Sequence, residues 1–356
     1  MSTLSRRSIL SMTAVGAVGG LLTACSKNST APAVNPGPSA SAPAAALSEE
    51  RLNTVLAEFN EALKKADEKK DAALLAPRIS GSAAEFRKAS YEIMKKAGDD
   101  LLKADPGNAP SLDRPAADPT VPVTTAADTF PRYALVVAKD EKGDDPKSLP
   151  FFVGFEQKDA KSPYTSWGWA RQAAGVPMPT VSPAVEGSAP VPKDADDLLL
   201  KPQDAIALYT KVLTDGHENA DKKDLMAPDP FQKGVHAEIQ AERSQINTGV
   251  AKDEVATIRE EYTPHKSDYL GLRTVDGGAI VMTTLMSKRT LTVKSGKVTV
   301  GKETVSTKLA GTKTFTKNMV REYGNTVVLH IPPKDAKDAK VQPIAGYKVM
   351  VKASGS

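Results

Sequence analysis

The chain has 356 residues, with 47 lysines and arginines against 43 aspartates and glutamates and a formal net charge of +4. This weak excess of positive charge gives no reason to expect nucleic acid as a partner. Cys25 is the only cysteine, so the chain forms no internal disulfide and no site built from several thiolates. Residues 48–356 are numerous enough to form two domain-sized cores.

The first 25 residues have the pattern of an export signal. Arg6 and Arg7 precede an apolar run over residues 10–22, which is shorter than the roughly 20 residues that a helix needs to cross a bilayer. Residues 22–25, Leu-Thr-Ala-Cys, resemble the bacterial lipoprotein cleavage box, in which the cysteine receives a diacylglyceryl group and becomes the new N-terminus. The arginine pair also resembles the twin-arginine export signal, and an ordinary positive head is the alternative. We therefore expect a signal peptide over residues 1–24 and an acylated Cys25 on the outer, extracytoplasmic face of the cell membrane.

Residues 25–47 have the composition of a disordered tether. Prolines are interspersed with serine, alanine and glycine, and Lys27 is the only charged residue. Such a segment has almost no apolar surface to bury, so nothing offsets the entropy lost on ordering it.

A first α+β domain is predicted over residues 48–176. Ser48 is a good N-cap residue, and apolar side chains from Leu52 to Leu63 recur at helical spacing. A second helix is predicted from a capping box at residues 82–85 to Gly98. Strands are predicted near residues 121–125, 133–139, 149–157 and 164–172.

A proline-rich linker over residues 177–197 precedes a second predicted domain over residues 198–353. Helices are expected from Pro202 onward and over residues 235–246. The predicted strands cover residues 254–262, 269–273, 279–293, 297–309, 326–331 and 347–352.

The two halves share a distant internal repeat. Residues 59–63 match residues 209–213 in pattern, Leu-Leu-Ala-Pro at 74–77 matches Leu-Met-Ala-Pro at 225–228, and Gly81 and Gly234 follow. Chance similarity of short helical segments is the alternative. Helices followed by a curved antiparallel sheet resemble the nuclear transport factor 2-like, or cystatin-like, α+β fold. With its cleavage box and tether, the chain resembles uncharacterised lipoproteins of actinobacteria, which implies tandem cystatin-like domains and supplies no active site.

Catalytic and metal-binding motifs are not found. The sequence lacks a nucleophile elbow, a His-Glu-x-x-His motif, a glycine-rich phosphate loop and a calcium loop. Glu260 and Glu261 are adjacent, so on a strand they face opposite ways and form no acid and base pair. We therefore expect no catalytic residue, no metal and no cofactor.

Aromatic residues are concentrated between residues 151 and 169, and this stretch includes both tryptophans. Trp167 and Trp169 are two residues apart, which on a regular strand places them on one face. With Tyr164 and Arg171 they could line an apolar pocket, and core packing is the alternative.

Basic residues are concentrated between residues 288 and 321. The candidate basic face consists of Lys288, Arg289, Lys294, Lys297 and Lys302. It could bind anionic polymers or headgroups, and protection of sheet edges by lysine is the alternative.

These patterns favour a membrane-anchored, non-catalytic binding or scaffolding module of the cell envelope. Its expected partners are the membrane, through acylated Cys25, and an envelope protein, an anionic polymer or an apolar ligand. The alternatives are an enzyme with a cone-shaped pocket and a carrier of a lipid or glycolipid.

Overall fold

The computed structural model describes residues 45–143 and 148–356. In these ranges there are six α-helices: α1 (Glu49–Lys69), α2 (Gly81–Ala97), α3 (Asp99–Ala104), α4 (Pro202–Asp215), α5 (Pro230–Ile246) and α6 (Val305–Ala310). The strands are β1 (Pro115–Thr124), β2 (Arg132–Asp140), β3 (Phe151–Gln157), β4 (Thr165–Gln172), β5 (Ala256–Arg273), β6 (Ala279–Val293), β7 (Val298–Thr299), β8 (Thr314–Phe315), β9 (Asn318–Ile331) and β10 (Gln342–Gly355). The predicted signal peptide, Arg6, Arg7 and Cys25 lie outside the described residues.

A side-chain cap marks the start of α1 but not that of α2. Ser48 caps α1, since its side chain accepts a hydrogen bond from the Arg51 amide at 3.3 Å, as predicted. The predicted capping box at residues 82–85 is wrong, because α2 already begins at Gly81 and the Ser82 hydroxyl donates to Asp268 instead.

Most predicted strands are confirmed, and one is wrong. Strands β2, β3 and β4 lie where the sequence predicts them, whereas residues 297–309 contain only the two-residue strand β7 followed by α6. A reciprocal capping box between Thr304 and Thr307 starts α6, and this local signal overrides the strand-like composition.

One antiparallel sheet spans both halves of the chain. Its strand order is β1-β2-β3-β4-β10-β9-β6-β5, so the strands of each half form a meander and the two meanders meet at β4 and β10. Two residue pairs make this junction, Gln172 with Ala345 and Arg171 with Gly346. The fold is therefore α+β, as predicted, but one large antiparallel sheet is present where the sequence predicts a sheet in each half, and the described residues form one compact unit.

Three large apolar clusters stabilise this arrangement. One packs α1 and α2 on the first meander and includes Phe59 and Trp169. A second packs α4 and α5 on the second meander and includes Tyr209 and Leu329. The third, which includes Phe152, contains residues of both meanders.

The segment between the halves contacts both edge strands of the sheet. Ser188 pairs with Thr125, immediately after β1, and Pro190 pairs with Leu272 in β5. Val191 is buried in the cluster of the second half. The backbone of the predicted linker thus bridges β1 and β5.

Candidate functional site

A groove of about 1150 Å³ lies between the second half and residues 106–111 of the first half. Its walls come from α5, from β6, β9 and β10, from the loop that follows α3 and from the segment that precedes α6. Met319, Val349 and Met350 give it apolar surface, and the charged residues that line it are Glu238, Glu242, Arg289, Lys302, Arg321 and Lys348. We refer to this feature as the groove.

Glu260 lies at the centre of the ionic network beneath the groove. Its side chain is fully buried and lies 2.6 Å from Arg289 Nε and 2.8 Å from Lys348 Nζ. The Ser287 hydroxyl donates a third bond at 2.6 Å. Burial alone would raise the pKa of Glu260, but Lys348 and Arg289 lower it to about 2. The carboxylate is therefore ionised at neutral pH and is not placed to act as a proton carrier.

Lys348 has an unusual environment for a lysine. Its Nζ lies 4.1 Å from the centre of the Tyr323 ring, a cation–π geometry, and only 14% of the side chain is exposed. Burial, together with the charge of Arg289, lowers the pKa of Lys348 to about 8, although Glu260 opposes this change.

Two carboxylates of α5 neutralise the arginines of the groove wall. Glu238 lies 3.1 Å from Arg289 Nη2, and Glu242 lies 2.6 Å from Arg321 Nη2. Carboxylates thus pair with both buried guanidinium groups, so the wall of the groove is polar.

The first half contains a comparable ionic group that is sealed. Arg87 on α2 forms two hydrogen bonds to Asp67, at 2.8 and 2.7 Å, and Tyr91 donates a further bond to Asp67 at 2.7 Å. The neighbouring cavity, lined by Arg87, Trp169 and Tyr347, has a volume of only about 20 Å³.

The four residues of the predicted aromatic pocket do not converge. Trp169 packs in the cluster of the first half and Trp167 in the cluster shared by both halves, so the expectation that both indoles project from one face is wrong. A β-bulge explains this, since Phe155 pairs with Ser166 while Gly154 pairs with Gly168, and the extra residue breaks the alternation. Arg171 instead pairs with Asp140 at 2.8 Å.

Four of the five residues of the predicted basic face are exposed, and one of them lines the groove. Lys288, Lys294, Lys297 and Lys302 are exposed, and Lys302 lines the groove. Arg289 is buried, with 4% of its surface exposed, so its placement on an exposed face is wrong. The physical reason is strand alternation, which turns Arg289 toward Glu260 and Lys288 toward solvent.

Sequence reasoning missed Glu260, Tyr323 and Lys348 as groove residues. A signal was present for Glu260, because Ile258 and Tyr262 lie on the same face of β5 and both are buried. A carboxylate between two buried apolar neighbours predicts a buried partner of opposite charge. No comparable local pattern points to Lys348.

The histidines and carboxylates offer no metal site in the part of the chain that the structure describes. His217 and His236 each lie within hydrogen-bond distance of a backbone carbonyl, of Met226 at 2.9 Å and of Leu213 at 3.1 Å. Among the residues that the structure describes, no helix is long and apolar enough to cross a membrane.

A family model described as a domain of unknown function, DUF8094, matches residues 43–355. The match covers most of the chain, which therefore belongs to this family. A search of curated proteins and a search of solved structures each returned no match.

Proposed function

We propose that this member of the DUF8094 family is a non-catalytic binding lipoprotein of the cell envelope, and that its groove holds an anionic envelope polymer. The observation that carries the proposal is the groove itself, an open cavity of about 1150 Å³ with four cations and three carboxylates in or beneath its wall. Its size suits an extended ligand better than a small one.

Charge decides which kind of ligand the groove favours. The carboxylates of Glu238, Glu242 and Glu260 are engaged by Arg289, Arg321 and Lys348. Lys302 on the rim, and the exposed Lys294 and Lys297 near it in sequence, leave an excess of positive charge. Phosphate or carboxylate groups spaced along a polymer match such an arrangement.

The alternative of an enzyme is less well supported by the geometry. An efficient general acid or base needs a pKa near the working pH, and the pKa of Glu260 is about 2. Lys348, with a pKa of about 8, is closer to that range, but Glu260 holds its amine at 2.8 Å.

A carrier of a lipid or glycolipid is also disfavoured. Such a ligand needs a large apolar cavity, whereas Arg289, Arg321, Glu238 and Glu242 all line the groove. Desolvating these groups against acyl chains would cost free energy that no new hydrogen bond offsets.

We further propose that the two halves descend from one cystatin-like unit by duplication. Each half has a long helix, a 3₁₀ turn, a second helix and a four-stranded meander. In each half, the stretch after the 3₁₀ turn forms a parallel bridge near the start of the last strand, Ile79 with Ser166 and Met226 with Val341. Repetition of a long-range pairing is harder to explain by chance than repetition of helices.

The anchor is tested by replacing Cys25 with alanine. If Cys25 is acylated after removal of residues 1–24, as in lipoproteins of actinobacteria, the variant leaves the membrane fraction and appears in the soluble fraction. Retention of Cys25→Ala on membranes in high salt would contradict a lipid anchor. Mass spectrometry of the wild-type N-terminal peptide provides the independent measurement.

The groove is tested with a phosphodiester polymer. The full lipidated chain in nanodiscs of neutral lipid should retain poly(glycerol phosphate) at low salt and release it as salt rises. The double variant Lys297→Glu, Lys302→Glu should lose this retention, because it reverses the charge of Lys302 in the groove and that of the exposed Lys297 near it in sequence.

The matched control reverses two exposed lysines on a distant loop, Lys337→Glu and Lys340→Glu. Equal retention by both double variants would reject the groove as the binding site. Absence of retention by the wild-type chain would reject this class of polymer.

A further inference from the structure

A second cavity lies at the point where the described chain begins. It has a volume of about 440 Å³ and is lined by Ala46 and Leu47, by the first turns of α1, and by the loop between β3 and β4. It shares no lining residue with the groove. We refer to it as the N-terminal pocket.

Positive charge dominates the N-terminal pocket. Arg51, Arg78, Arg132 and Lys161 line it against one carboxylate, Glu58. Arg78 already pairs with Glu58 and also donates to the Tyr164 carbonyl at 3.3 Å. The positive charges of the other three residues remain in excess.

Arg132 is held in position but not neutralised. Its guanidinium carbon lies 4.4 Å from the centre of the Phe130 ring, which orients the planar group. Its Nε atom is buried and has no hydrogen-bond partner in the described part of the chain. A buried donor of this kind gains free energy when an acceptor arrives.

Tyr164 adds an independent observation. Only 6% of the residue is exposed, and its hydroxyl has no hydrogen-bond partner within residues 45–143 and 148–356. Burial raises the pKa of Tyr164, and the nearby charge of Arg132 opposes this only in part. The hydroxyl therefore remains protonated at neutral pH and can donate a hydrogen bond.

We infer that the N-terminal pocket binds a phosphate group, with Arg132, Lys161 and Arg51 supplying positive charge and the Tyr164 hydroxyl donating a hydrogen bond. Phosphate oxygens accept several charge-assisted bonds at once, which suits a planar guanidinium beside an ammonium and a phenol. The phosphate belongs to a membrane phospholipid headgroup or to a soluble phosphate compound. This site goes beyond the proposed polymer groove and does not depend on it.

The test measures phosphate binding by the full lipidated chain in micelles of a neutral, phosphate-free detergent. Titration calorimetry with inorganic phosphate and with glycerol 3-phosphate should show saturable binding. Tyr164→Phe removes only the hydroxyl and should weaken binding about five- to tenfold, as expected for one hydrogen bond. Arg132→Gln should weaken it more than tenfold.

Two control variants locate the effect. Arg259→Gln removes an exposed arginine whose side chain is 60% exposed and should leave phosphate affinity unchanged. Lys337→Glu changes an exposed lysine that lines neither the groove nor the N-terminal pocket and should also leave it unchanged. Affinity that is equal in wild type, Tyr164→Phe and Arg132→Gln, or no saturable binding of either probe, would overturn the inference.

Binding measurements in nanodiscs distinguish a phospholipid headgroup from a soluble phosphate compound. With phosphatidylglycerol in the disc, a headgroup ligand should compete with added glycerol 3-phosphate and lower its apparent affinity in wild type but not in Arg132→Gln. If the affinity in such discs equals that in detergent, the pocket takes a soluble phosphate compound.

Discussion

The two halves of the molecule bury similar ionic groups in different settings. In the first half, Asp67 and Arg87 both belong to helices, and the space beside them is almost filled. In the second half, Glu260, Arg289 and Lys348 belong to strands, and the groove lies above them. A sealed ion pair mainly affects the stability and specificity of the fold, whereas Arg289 and Lys348 also line a cavity that a ligand can enter.

Aromatic packing accounts for the difference. Trp169 lies between Phe59, at a centroid distance of 5.8 Å, and the guanidinium of Arg87, at 5.7 Å. In the second half, Tyr323 contacts the cations Arg289 and Lys348 from the groove side. Both tryptophans are in the first half.

The largest expected effect is that of Asp67→Asn. The change leaves the buried Arg87 without its charged partner in a sealed site, so the free energy of unfolding should fall by about 3–5 kcal/mol. Urea denaturation at pH 7 measures it. Glu92→Gln on the exposed face of α2, where the side chain is 66% exposed, is the control, and an equal loss in both variants would contradict the role assigned to Asp67.

Glu260→Gln is expected to cost less, about 2–3 kcal/mol, because Arg289 keeps two charged partners, Glu238 at 3.1 Å and Glu242 at 3.7 Å. The same urea titration measures it. A loss as large as that of Asp67→Asn would show that Glu238 and Glu242 do not compensate for the missing charge.

The pH dependence provides a separate check on Glu260. Its folded pKa of about 2 lies below the ordinary value of 4.5, so its contribution is fully present above pH 4.5 and is lost as the pH falls toward 2. The stability difference between wild type and Glu260→Gln should therefore shrink over that interval. A difference that stays constant would contradict the pKa.

Asp229→Asn should stabilise the protein at pH 8. Asp229 caps α5 through the Gln232 amide at 3.0 Å, and burial raises its pKa to about 6. Folding therefore favours its protonated form, and stability is lost as the pH rises from 3.8 through about 6. Asparagine is an equally good N-cap residue and carries no charge. We therefore expect the free energy of unfolding to rise by about 1–2 kcal/mol at pH 8 and not to change at pH 4. Urea titration at the two pH values measures the gain. Equal gains at pH 8 and pH 4 would exclude charge burial as the cause.

The smallest effects come from a matched pair of glycines in the repeat. An added Cβ at Gly234, inside α5, would meet no heavy atom within 4 Å, so Gly234→Ala should stabilise by about 0.5–1 kcal/mol. Gly81 has a φ of +56° and its Cβ would lie 3.1 Å from Trp167 Cβ, so Gly81→Ala should destabilise. Thermal unfolding measures both, and changes of the same sign would contradict the difference in packing between the halves.

Local pattern was sufficient for most of the elements. The apolar spacing from Leu52 to Leu63 predicts α1, and the alternating or apolar runs predict β2, β3 and β4, all of which the structure confirms. These signals act over a few residues, so the sequence contains them directly. The predicted export signal, Cys25 and twin arginines rest on the same kind of local signal and stay predictions.

The tertiary structure alone decided which charges meet. Glu260, Arg289 and Lys348 are separated by 29 and 59 positions in the chain, and only the order of the strands brings them together. The bulge at Trp167 likewise could not be read from alternation, because an extra residue in one strand is specified by its partner strand. The sequence by itself determined which segments become helices and strands, while long-range pairing determined where the buried charges and the groove lie.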